Sequence, residues 1–282
     1  MKSEIVNFIK RTIDKYDYKG SVIGISGGID SAVVAKLCVE ALGKDKVFGV
    51  LLPERDSSSS TVDDSKLVCD YLGISYIKKS ISPILRTMGV YLLQPPALFI
   101  PERIKKNYVK NKWKSLSKED TFLEDLQNKG NEEFLKGIAY YRAKHRVRMC
   151  CLYMEAEKRN YAVIGTTNKT EYVTGFYVKW GDDSVDIEPI MHLYKTQVFQ
   201  LARELKIPEK IINKPPTPDL IPGVTDEFAL GMTYKEIDRI LRKIEYRQDL
   251  KGEDSKKVER VKKILKVAEK RNIRMVNFTP QG

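Results

Sequence analysis

A turn rich in glycine, serine and aspartate interrupts an apolar stretch near the N-terminus. The segment VIGISGGIDSAVVAK, residues 22–36, contains two adjacent glycines that are followed by Asp30 and Ser31. Glycines let a ligand approach the backbone closely, and serine hydroxyls donate hydrogen bonds to anions. Asp30 would repel a bare phosphate, so we predict that it holds a divalent cation that a polyphosphate also binds. The alternative is a glycine-rich capping turn that binds no ligand.

The residues on either side of this turn predict a strand followed by a helix. Val22 to Ile25 is a short β-branched run of the kind found in buried parallel strands, and apolar residues recur at helical spacing from Ala32 onward. The free N–H groups at the start of such a helix favour an anion. The turn has neither the Gly-Lys-Ser/Thr ending of a Walker loop nor a Gly-x-Gly-x-x-Gly fingerprint. We therefore predict a magnesium polyphosphate site of another type.

The rest of the chain continues this alternation of strands and helices. The predicted elements are an amphipathic helix at 4–17, a strand at 46–53, a helix ending at Gly73 before a third short strand, and a strand within 159–171. This order indicates an α/β fold with a doubly wound parallel sheet and helices on both faces. Such sheets bind ligands beyond the carboxyl ends of their strands, where the loops at 26–31, 53–60 and 166–171 should meet.

Composition narrows the class of protein. The 282 residues suffice for one large α/β domain, placed here at 1–245, and a helical C-terminal tail at 246–282. From Thr233 onward, the sequence predicts two helices that a polar loop near Gly252 separates. The net charge of +12 favours polyanionic ligands. The four cysteines form no Cys-x-x-Cys pair, the N-terminus resembles no signal peptide, and no apolar run reaches membrane-spanning length. We predict a cytoplasmic protein without a membrane partner.

Residues 91–137 are predicted to form an irregular basic insertion or lid. Within them, residues 103–118 carry seven basic side chains and no acid, with Tyr108 and Trp113 interleaved. This composition suits a lid over an anionic substrate or a solvated basic helix. Binding of single-stranded nucleic acid is the alternative. We disfavour it because the adjacent Cys150 and Cys151 lie in an apolar helical stretch and not in a pattern that suits sulfur transfer to tRNA.

Six motifs together resemble the ammonia-dependent NAD synthetases. SGGIDS looks like the pyrophosphate-binding loop of the ATP pyrophosphatase superfamily, which implies an adenine nucleotide alpha hydrolase-like fold. The other five motifs are HRVRM, GTTNKTE, KWGDDSVDIEPI, LYKTQVFQLAREL and KPPTPDL. The resemblance covers residues 1–245, of which residues 91–137 match poorly, as does the C-terminal tail. It implies that the carboxylate of deamido-NAD attacks the α-phosphate of ATP and releases pyrophosphate. Ammonia then displaces AMP from the acyl-adenylate.

The resemblance also implies the site residues, each by its match to a family motif. The pyrophosphate loop would comprise Gly24, Ile25, Ser26, Gly27, Gly28, Ile29, Asp30 and Ser31. Asp30 and Glu171 would bind Mg²⁺, and Lys195 would offset the charge that grows on departing pyrophosphate, which makes Asp30 and Lys195 the catalytic pair. Further contacts to ATP would come from Thr166 and Thr217, and contacts to deamido-NAD from Arg146, Lys179 and Asp186. No histidine is needed, so surface or structural roles are expected for His145 and His192.

Two departures from the family pattern leave the acceptor open. Pro218 and Val224 stand where the family has a small residue and a glutamine, and Glu269 precedes Lys270 where it has histidine before lysine. Both regions border the dinucleotide in the family, so amidation of a different carboxylate is the alternative, followed by a nucleotide-binding regulatory paralogue. The chain begins close to its first strand, so ammonia is expected to arrive free or from a separate amidase. The resemblance implies a homodimer.

Overall fold

The computed structural model describes residues 1–93, 120–216 and 225–273. Its strands are β1 (Gly20–Gly24), β2 (Val47–Leu51), β3 (Ser75–Lys78) and β4 (Tyr161–Ile164). Its α-helices before β4 are α1 (Lys2–Lys15), α2 (Ile29–Leu42), α3 (Ser59–Leu72), α4 (Ser82–Thr87), α5 (Thr121–Gln127) and α6 (Glu132–Glu157). Those after β4 are α7 (Lys169–Thr174), α8 (Lys195–Glu204), α9 (Glu209–Ile212), α10 (Asp226–Leu230), α11 (Tyr234–Glu245) and α12 (Ser255–Arg271). Short 3₁₀ turns lie at Lys44–Lys46 and Val90–Leu92.

The four strands form one parallel sheet in the order β3-β2-β1-β4. Ser21 of β1 lies opposite Val47 on one side and Ala162 on the other. The chain runs outward from β1 to β2 and β3, and then returns to place β4 on the opposite side of β1. The strand order thus reverses between β1 and β4, which is where open parallel sheets open a ligand crevice. The predicted parallel α/β sheet is confirmed.

Alternate residues of each strand face opposite layers of helices, because side chains point to opposite faces of a sheet in turn. Ile23 packs in a cluster with α1, α2, α3, α8 and α9. Its neighbour Val22 packs instead with the segment around α4 and with α6. Both valine and isoleucine are fully buried, as the β-branched run predicted. The sheet therefore has helices on both faces.

Helix boundaries follow from local capping. The side chain of Ser58 accepts a hydrogen bond from the Thr61 N–H at the start of α3, and α3 ends at Gly73 in the left-handed conformation with φ of 64°. A left-handed residue after a helix favours glycine because a Cβ would be strained there. The predicted end of this helix at Gly73 is confirmed.

The C-terminal helices pack in a third cluster that lies beside the sheet layers. It joins α5, α10, α11 and α12 through buried residues that include Phe122, Leu230, Ile237 and Ile264. The predicted pair of helices on either side of Gly252 is confirmed by α11 and α12. The domain boundary at residue 245 stays a prediction, and it falls between two helices that share this cluster.

The prediction of irregular structure over 91–137 is wrong for its last part. Helix α5 and the first turns of α6 occupy Thr121–Gln127 and the residues from Glu132 onward. Asp120 and Asn131 cap these helices through side-chain bonds to backbone N–H groups, a signal typical of helix starts. The basic segment 103–118 lies outside the described residues. Within the described part of the chain, no helix is long and apolar enough to cross a membrane.

Candidate active site

The glycine turn after β1 adopts the conformation that its sequence predicts. Gly27 has φ of +71°, and a Cβ there would lie 2.8 Å from the Asp64 Cβ and 2.8 Å from the Thr61 carbonyl oxygen of α3. Only glycine satisfies both the backbone angle and the contact. The Ser31 hydroxyl donates to the Gly28 carbonyl at 3.0 Å and lies 3.1 Å from the Ser26 hydroxyl. The turn is thus held open at the N-terminus of α2, where N–H groups attract anions.

A cavity of about 360 Å³ opens beside this turn at the carboxyl edge of the sheet. Its lining includes Gly24 and Ile25 at the end of β1, Leu51 and Leu52 at the end of β2, and Gly165 and Thr166 directly after β4. Of the predicted loop residues, Gly24, Ile25, Ser26, Gly28, Ile29, Asp30 and Ser31 line it. Its size falls within the range of small-molecule sites. The predicted convergence of loops at this edge is present.

Three charged side chains from three separate elements meet in this cavity. Lys195, at the start of α8, places its Nζ 2.5 Å from Asp30 Oδ2 and 3.3 Å from Glu171 Oε1. The lysine side chain is 2% exposed. Asn168 fixes the remaining oxygen of Asp30 by donating to Oδ1 at 3.0 Å. The fold therefore brings together the three residues predicted as catalytic or metal-binding.

A fourth charged group, Asp226 at the start of α10, lies beside this trio. Its Oδ2 accepts a hydrogen bond from the Tyr234 hydroxyl at 2.8 Å, and its buried Oδ1 has no partner among the described residues. Burial raises the pKa of Asp226, and it raises the pKa of Glu171 to about 8. Burial lowers the pKa of Lys195, but the charge of Asp30 outweighs it, so the net shift is upward. The site thus holds a charged lysine among acids.

Asp30 and Glu171 fit a magnesium ion. Both carboxylates point at one spot, as their shared contact with Lys195 shows. Across residues 1–93, 120–216 and 225–273, no group of three or more His, Cys, Asp or Glu side chains is arranged to hold a metal. Magnesium suits such a two-acid site, because it keeps several waters and is bound by one or two carboxylates together with substrate phosphates.

The helices that carry Glu171 and Lys195 are fixed by a buried carboxylate. Asp238 of α11 accepts from the Thr170 hydroxyl at 2.6 Å and from the Thr196 N–H at 2.8 Å. The Thr170 hydroxyl in turn accepts from the Lys195 N–H at 2.9 Å. Asp238 is 2% exposed. One acid therefore sets the position of the first turns of both α7 and α8.

The residues predicted to bind deamido-NAD lie outside the cavity lining. Arg146 is exposed and donates to the Lys179 carbonyl at 3.1 Å, and the Lys179 ammonium contacts the Ile273 carbonyl. Asp186 accepts from the Val163 N–H at 2.8 Å and from the Tyr153 hydroxyl at 3.2 Å. Arg146 and Lys179 are thus neighbours, whereas Asp186 stands at the edge strand β4. Thr217 lies outside the described residues.

Another part of the lining comes from α5, α6 and the segment between α7 and Ile187, and its residues are mostly aromatic or titratable. They are Phe122, Tyr141, His145, Arg148, Met149, Phe176, Tyr177 and Asp182. His145 was expected at the surface or in a structural role, yet it lines the cavity, and its Nε2 is buried without a partner in the described part of the chain. Burial lowers its pKa to about 3, so the ring is neutral at pH 7.

Sequence reasoning missed two charged residues of the site. Asp226 and Lys214 both line the cavity, and Lys214 contacts the buried Asp64 of α3. Lys214 could have been found because it is the first residue of the motif KPPTPDL. Asp226 could have been found because it belongs to an acidic pair, Asp226 and Glu227, shortly after that motif. Their positions in the sequence do not indicate that the fold places both residues beside the glycine turn.

The glycine turn, the parallel sheet and the acid–lysine trio define an α/β protein whose cavity suits a nucleotide polyphosphate. A model of the NAD synthase family matches residues 1–113 and 97–275. A relative from Thermotoga maritima, named NH(3)-dependent NAD(+) synthetase, is 64% identical over 270 residues, which cover 96% of each chain. This chain belongs to the NAD synthase family.

Two solved structures share the fold over nearly the whole length. One, described as NMN synthetase from Francisella tularensis, has a TM-score of 0.75 at 27% identity and covers 100% of this chain and 97% of its own. The other, NH3-dependent NAD synthetase from Campylobacter jejuni, has a TM-score of 0.68 at 24% identity and covers 99% and 97%. The second likeness concerns the fold alone.

Proposed function

We propose that the protein is an ammonia-dependent NAD synthetase, a ligase that forms a carbon–nitrogen bond. A carboxylate oxygen of deamido-NAD attacks the α-phosphorus of ATP, and the bond to the β-phosphate breaks as pyrophosphate leaves. Ammonia then attacks the acyl carbon of the adenylate, and the bond from that carbon to the bridging oxygen breaks, so that AMP leaves with this oxygen. The added nitrogen loses a proton, which gives the amide of NAD. The observation that carries this proposal is the convergence of Asp30, Glu171 and Lys195 beside the glycine turn.

The chain's own residues would act mainly by alignment and charge. The turn from Ser26 to Ser31 and the start of α2 present N–H and hydroxyl donors to pyrophosphate, and Thr166 lies at the adjacent strand end. Lys195 is buried beside that turn, where a fixed positive charge stabilises the leaving group more than it would in water. The proposed steps require no proton-transferring histidine.

Magnesium is the metal that we assign to this site. Asp30 and Glu171 would hold it, with the remaining positions left to phosphate oxygens and water. When bound, Mg²⁺ supplies positive charge that neutralises the phosphates. The chain's acids would fix its position at the mouth of the glycine turn.

The deamido-NAD contacts that we propose extend from the cavity to the surface. Arg146, Lys179 and Asp186 would bind parts of the dinucleotide, and their position outside the cavity lining suits a ligand that is longer than the cavity. A homodimer whose interface completes this region is part of the proposal. Thr217, which is not among the residues that the structure describes, would also contact ATP.

A second candidate reaction uses a smaller acceptor. The TM-score of 0.75 to a structure described as NMN synthetase favours it, because an amidation that yields NMN starts from nicotinate mononucleotide. The two candidates share the adenylation chemistry and differ only in the acceptor. The relative at 64% identity is named for the NAD product, so we place deamido-NAD first.

The test is an assay with ATP, Mg²⁺ and ammonium that compares deamido-NAD with nicotinate mononucleotide. We expect NAD, AMP and pyrophosphate in equal amounts, with a higher kcat/KM for deamido-NAD. A higher kcat/KM for the mononucleotide would transfer the assignment to the second candidate. Formation of ADP and inorganic phosphate would contradict attack at the α-phosphate, and no product with either acceptor would contradict both candidates.

A further inference from the structure

A buried carboxylate lies directly beneath the glycine turn and binds two lysines at once. Asp64, on α3, is 3% exposed, and its Cβ lies where a side chain on Gly27 would have to go. Its Oδ1 lies 2.8 Å from Lys210 Nζ, and its Oδ2 lies 2.9 Å from Lys214 Nζ. Burial alone would raise the pKa of Asp64, but hydrogen bonds from the two lysines outweigh it and lower the pKa below its usual value. Asp64 is therefore an ionised group with two cationic partners.

The two lysines occupy different environments. The Lys210 side chain is 63% exposed and does not line the cavity. The Lys214 side chain is 25% exposed, lines the cavity, and donates to the Gly27 carbonyl at 3.5 Å. Lys214 thus sits at the lip of the turn, whereas Lys210 faces solvent. If Lys214 left Asp64, Lys210 would still pair with it.

The charge balance of the site leaves room for a further cation. Asp30, Glu171 and Asp226 surround the single ammonium of Lys195. Among the described residues, the basic side chains that line the cavity are Arg148, Lys195 and Lys214. Arg148 donates to the Leu52 carbonyl at 3.2 Å, on the β2 side of the cavity. Lys214, which contacts the Gly27 carbonyl, is therefore a cation at the turn that Asp30, Glu171 and Asp226 do not already hold.

We propose that Lys214 is a pyrophosphate-binding residue, which Asp64 holds beside the turn until the nucleotide arrives. When the β- and γ-phosphates occupy the turn, the Lys214 ammonium moves from Asp64 Oδ2 to the phosphate oxygens. Lys210 keeps Asp64 paired, so the exchange leaves no buried charge alone, which would be costly. The proposal rests on the proposed function for the identity of the nucleotide as ATP. It concerns the polyphosphate half of the site and is independent of the acceptor.

The test compares Lys214→Met with the matched control Lys210→Met, since both lysines contact the same carboxylate. Dissociation constants are measured by calorimetry for magnesium pyrophosphate, for a non-hydrolysable ATP analogue and for AMP. We expect Lys214→Met to weaken pyrophosphate and the ATP analogue at least tenfold and AMP less than twofold, because AMP lacks the β- and γ-phosphates. We expect Lys210→Met, which leaves Asp64 unpaired once Lys214 moves, to weaken pyrophosphate and the ATP analogue by less than Lys214→Met does and to change AMP by less than twofold. Lys214→Arg, which keeps the charge, should restore most of the affinity for pyrophosphate.

Equal losses for the two methionine variants, or an equal loss for AMP and pyrophosphate in Lys214→Met, would overturn the proposal. Thermal unfolding of each variant establishes that it is folded. If Lys214→Met does not fold, the deciding comparison is between Lys214→Arg, which keeps the positive charge, and Lys214→Ser, which removes it. The outcome is separate from that of the proposed function. A wild-type protein that binds pyrophosphate through Lys214 but makes no amide would contradict the function and support this inference.

Discussion

At the scale of single residues, the site depends on the surroundings of one lysine. The Lys195 side chain is 2% exposed and lies among three acids, of which two contact its ammonium directly. A buried charge is tolerated only when partners compensate it, and removal of one partner changes the balance for all the others. The acids therefore serve both to hold Lys195 and, under the proposed function, to position the metal.

Replacement of Asp30 by asparagine tests the metal assignment. Asn keeps the shape of the side chain, and Glu171 still pairs with Lys195, so we expect Asp30→Asn to fold and to bind ATP weakly. Because one metal-ligand charge is lost, adenylate formation should fall by about 100-fold, the order found when one preorganised electrostatic contact is removed. The measurement is pyrophosphate exchange into ATP that depends on deamido-NAD.

The matched control is Asp45→Asn, which removes an exposed acid from the turn Lys44–Lys46 at the opposite end of α2. It should leave the exchange rate unchanged. An Asp30→Asn protein that unfolds at the wild-type temperature and exchanges at the wild-type rate would show that Asp30 does not hold the metal.

Residue types in the glycine turn could be interpreted from sequence because their chemistry is local. The turn needs glycine at Gly27 for a backbone angle and a close contact, and Asp30 and Ser31 follow it directly. The same reasoning could not find Asp64 or Lys214. Asp64 lies on α3 and Lys214 follows α9, and these two parts of the chain meet beneath the turn. The sequence has no local pattern that predicts this contact.

At the scale of secondary-structure elements, helix α6 is tied to the loop after β2 by a buried ionic network. The Lys144 ammonium lies 2.9 Å from Glu54 Oε1 and 3.0 Å from Asp56 Oδ2, and the side chains of Lys144 and Glu54 are fully buried. Arg55 donates to Asp56 at 2.9 Å and stacks over the Tyr91 ring at 4.1 Å. This network fixes the loop whose ends, at Pro53 and Ser57, line the cavity.

The acid Asp56 makes this network sensitive to pH. Burial alone would raise its pKa, but hydrogen bonds from Arg55 and the charge of Lys144 outweigh it and lower the pKa from 3.8 to about 2. A carboxyl whose pKa is lower in the folded state contributes stability above the unfolded value of 3.8, and that contribution is lost as the pH falls toward 2. At pH 7 the difference corresponds to about 2 kcal/mol.

We therefore expect Asp56→Asn to reduce the free energy of unfolding by about 2 kcal/mol at pH 7. The difference from wild type should shrink between pH 4 and pH 2. Urea denaturation at a series of pH values measures both quantities. Asp70→Asn, an exposed acid on α3, serves as the control and should show neither effect. A deficit for Asp56→Asn that stays constant down to pH 2 would show that packing, and not charge, explains it.

The elements themselves were predicted unevenly, for a physical reason. The strands β1 and β2 are short β-branched runs that are buried on both faces, so composition alone marks them. Helix α6 contacts the sheet on one side and buries Lys144 and Glu155 among apolar residues such as Val147. Such buried charges blur the single apolar face by which an amphipathic helix is recognised in a sequence.

At the scale of the whole molecule, the site lies where two hydrophobic clusters meet. The turn that carries Asp30 belongs to the layer of helices on the sheet, whereas Tyr234 belongs to the cluster formed by α5, α10, α11 and α12, and Asp226 begins α10. Arg271 at the end of α12 donates to the Tyr177 carbonyl at 2.6 Å, beside the aromatic part of the cavity lining. The C-terminal helices are thus part of the frame of the site.

This joint role was hidden from sequence reasoning, which placed α12 in a separate tail. The amphipathic pattern of α11 and α12 indicates that each buries one face, but the pattern does not name the surface that covers it. The covering surface includes Phe122 of α5, more than a hundred residues earlier in the chain. The side chain that joins the two clusters, Asp238, is a single acid in an otherwise ordinary helix.

Asp238 therefore provides a test of the coupling between the C-terminal helices and the catalytic elements. Asp238→Ala leaves the Thr170 hydroxyl and the Thr196 N–H without their buried acceptor. We expect the free energy of unfolding to fall by about 2 to 3 kcal/mol, the value of hydrogen bonds to a buried charged group. We also expect kcat to fall while KM for ATP changes less, because the N-terminal turns of α7 and α8, which carry Glu171 and Lys195, lose their common anchor.

The matched control is Arg239→Ala, which changes the next residue of α11. Arg239 is 56% exposed and pairs with Glu253, so its loss should cost less than about 1 kcal/mol and leave kcat unchanged. Urea denaturation and steady-state kinetics on the same preparations give both readouts. If Asp238→Ala lost stability but retained the wild-type kcat at a temperature where it is folded, the C-terminal cluster would support the fold without positioning Lys195. We expect both the free energy of unfolding and kcat to fall in Asp238→Ala and neither to fall appreciably in the control, because Thr170, Lys195 and Asp238 share contacts.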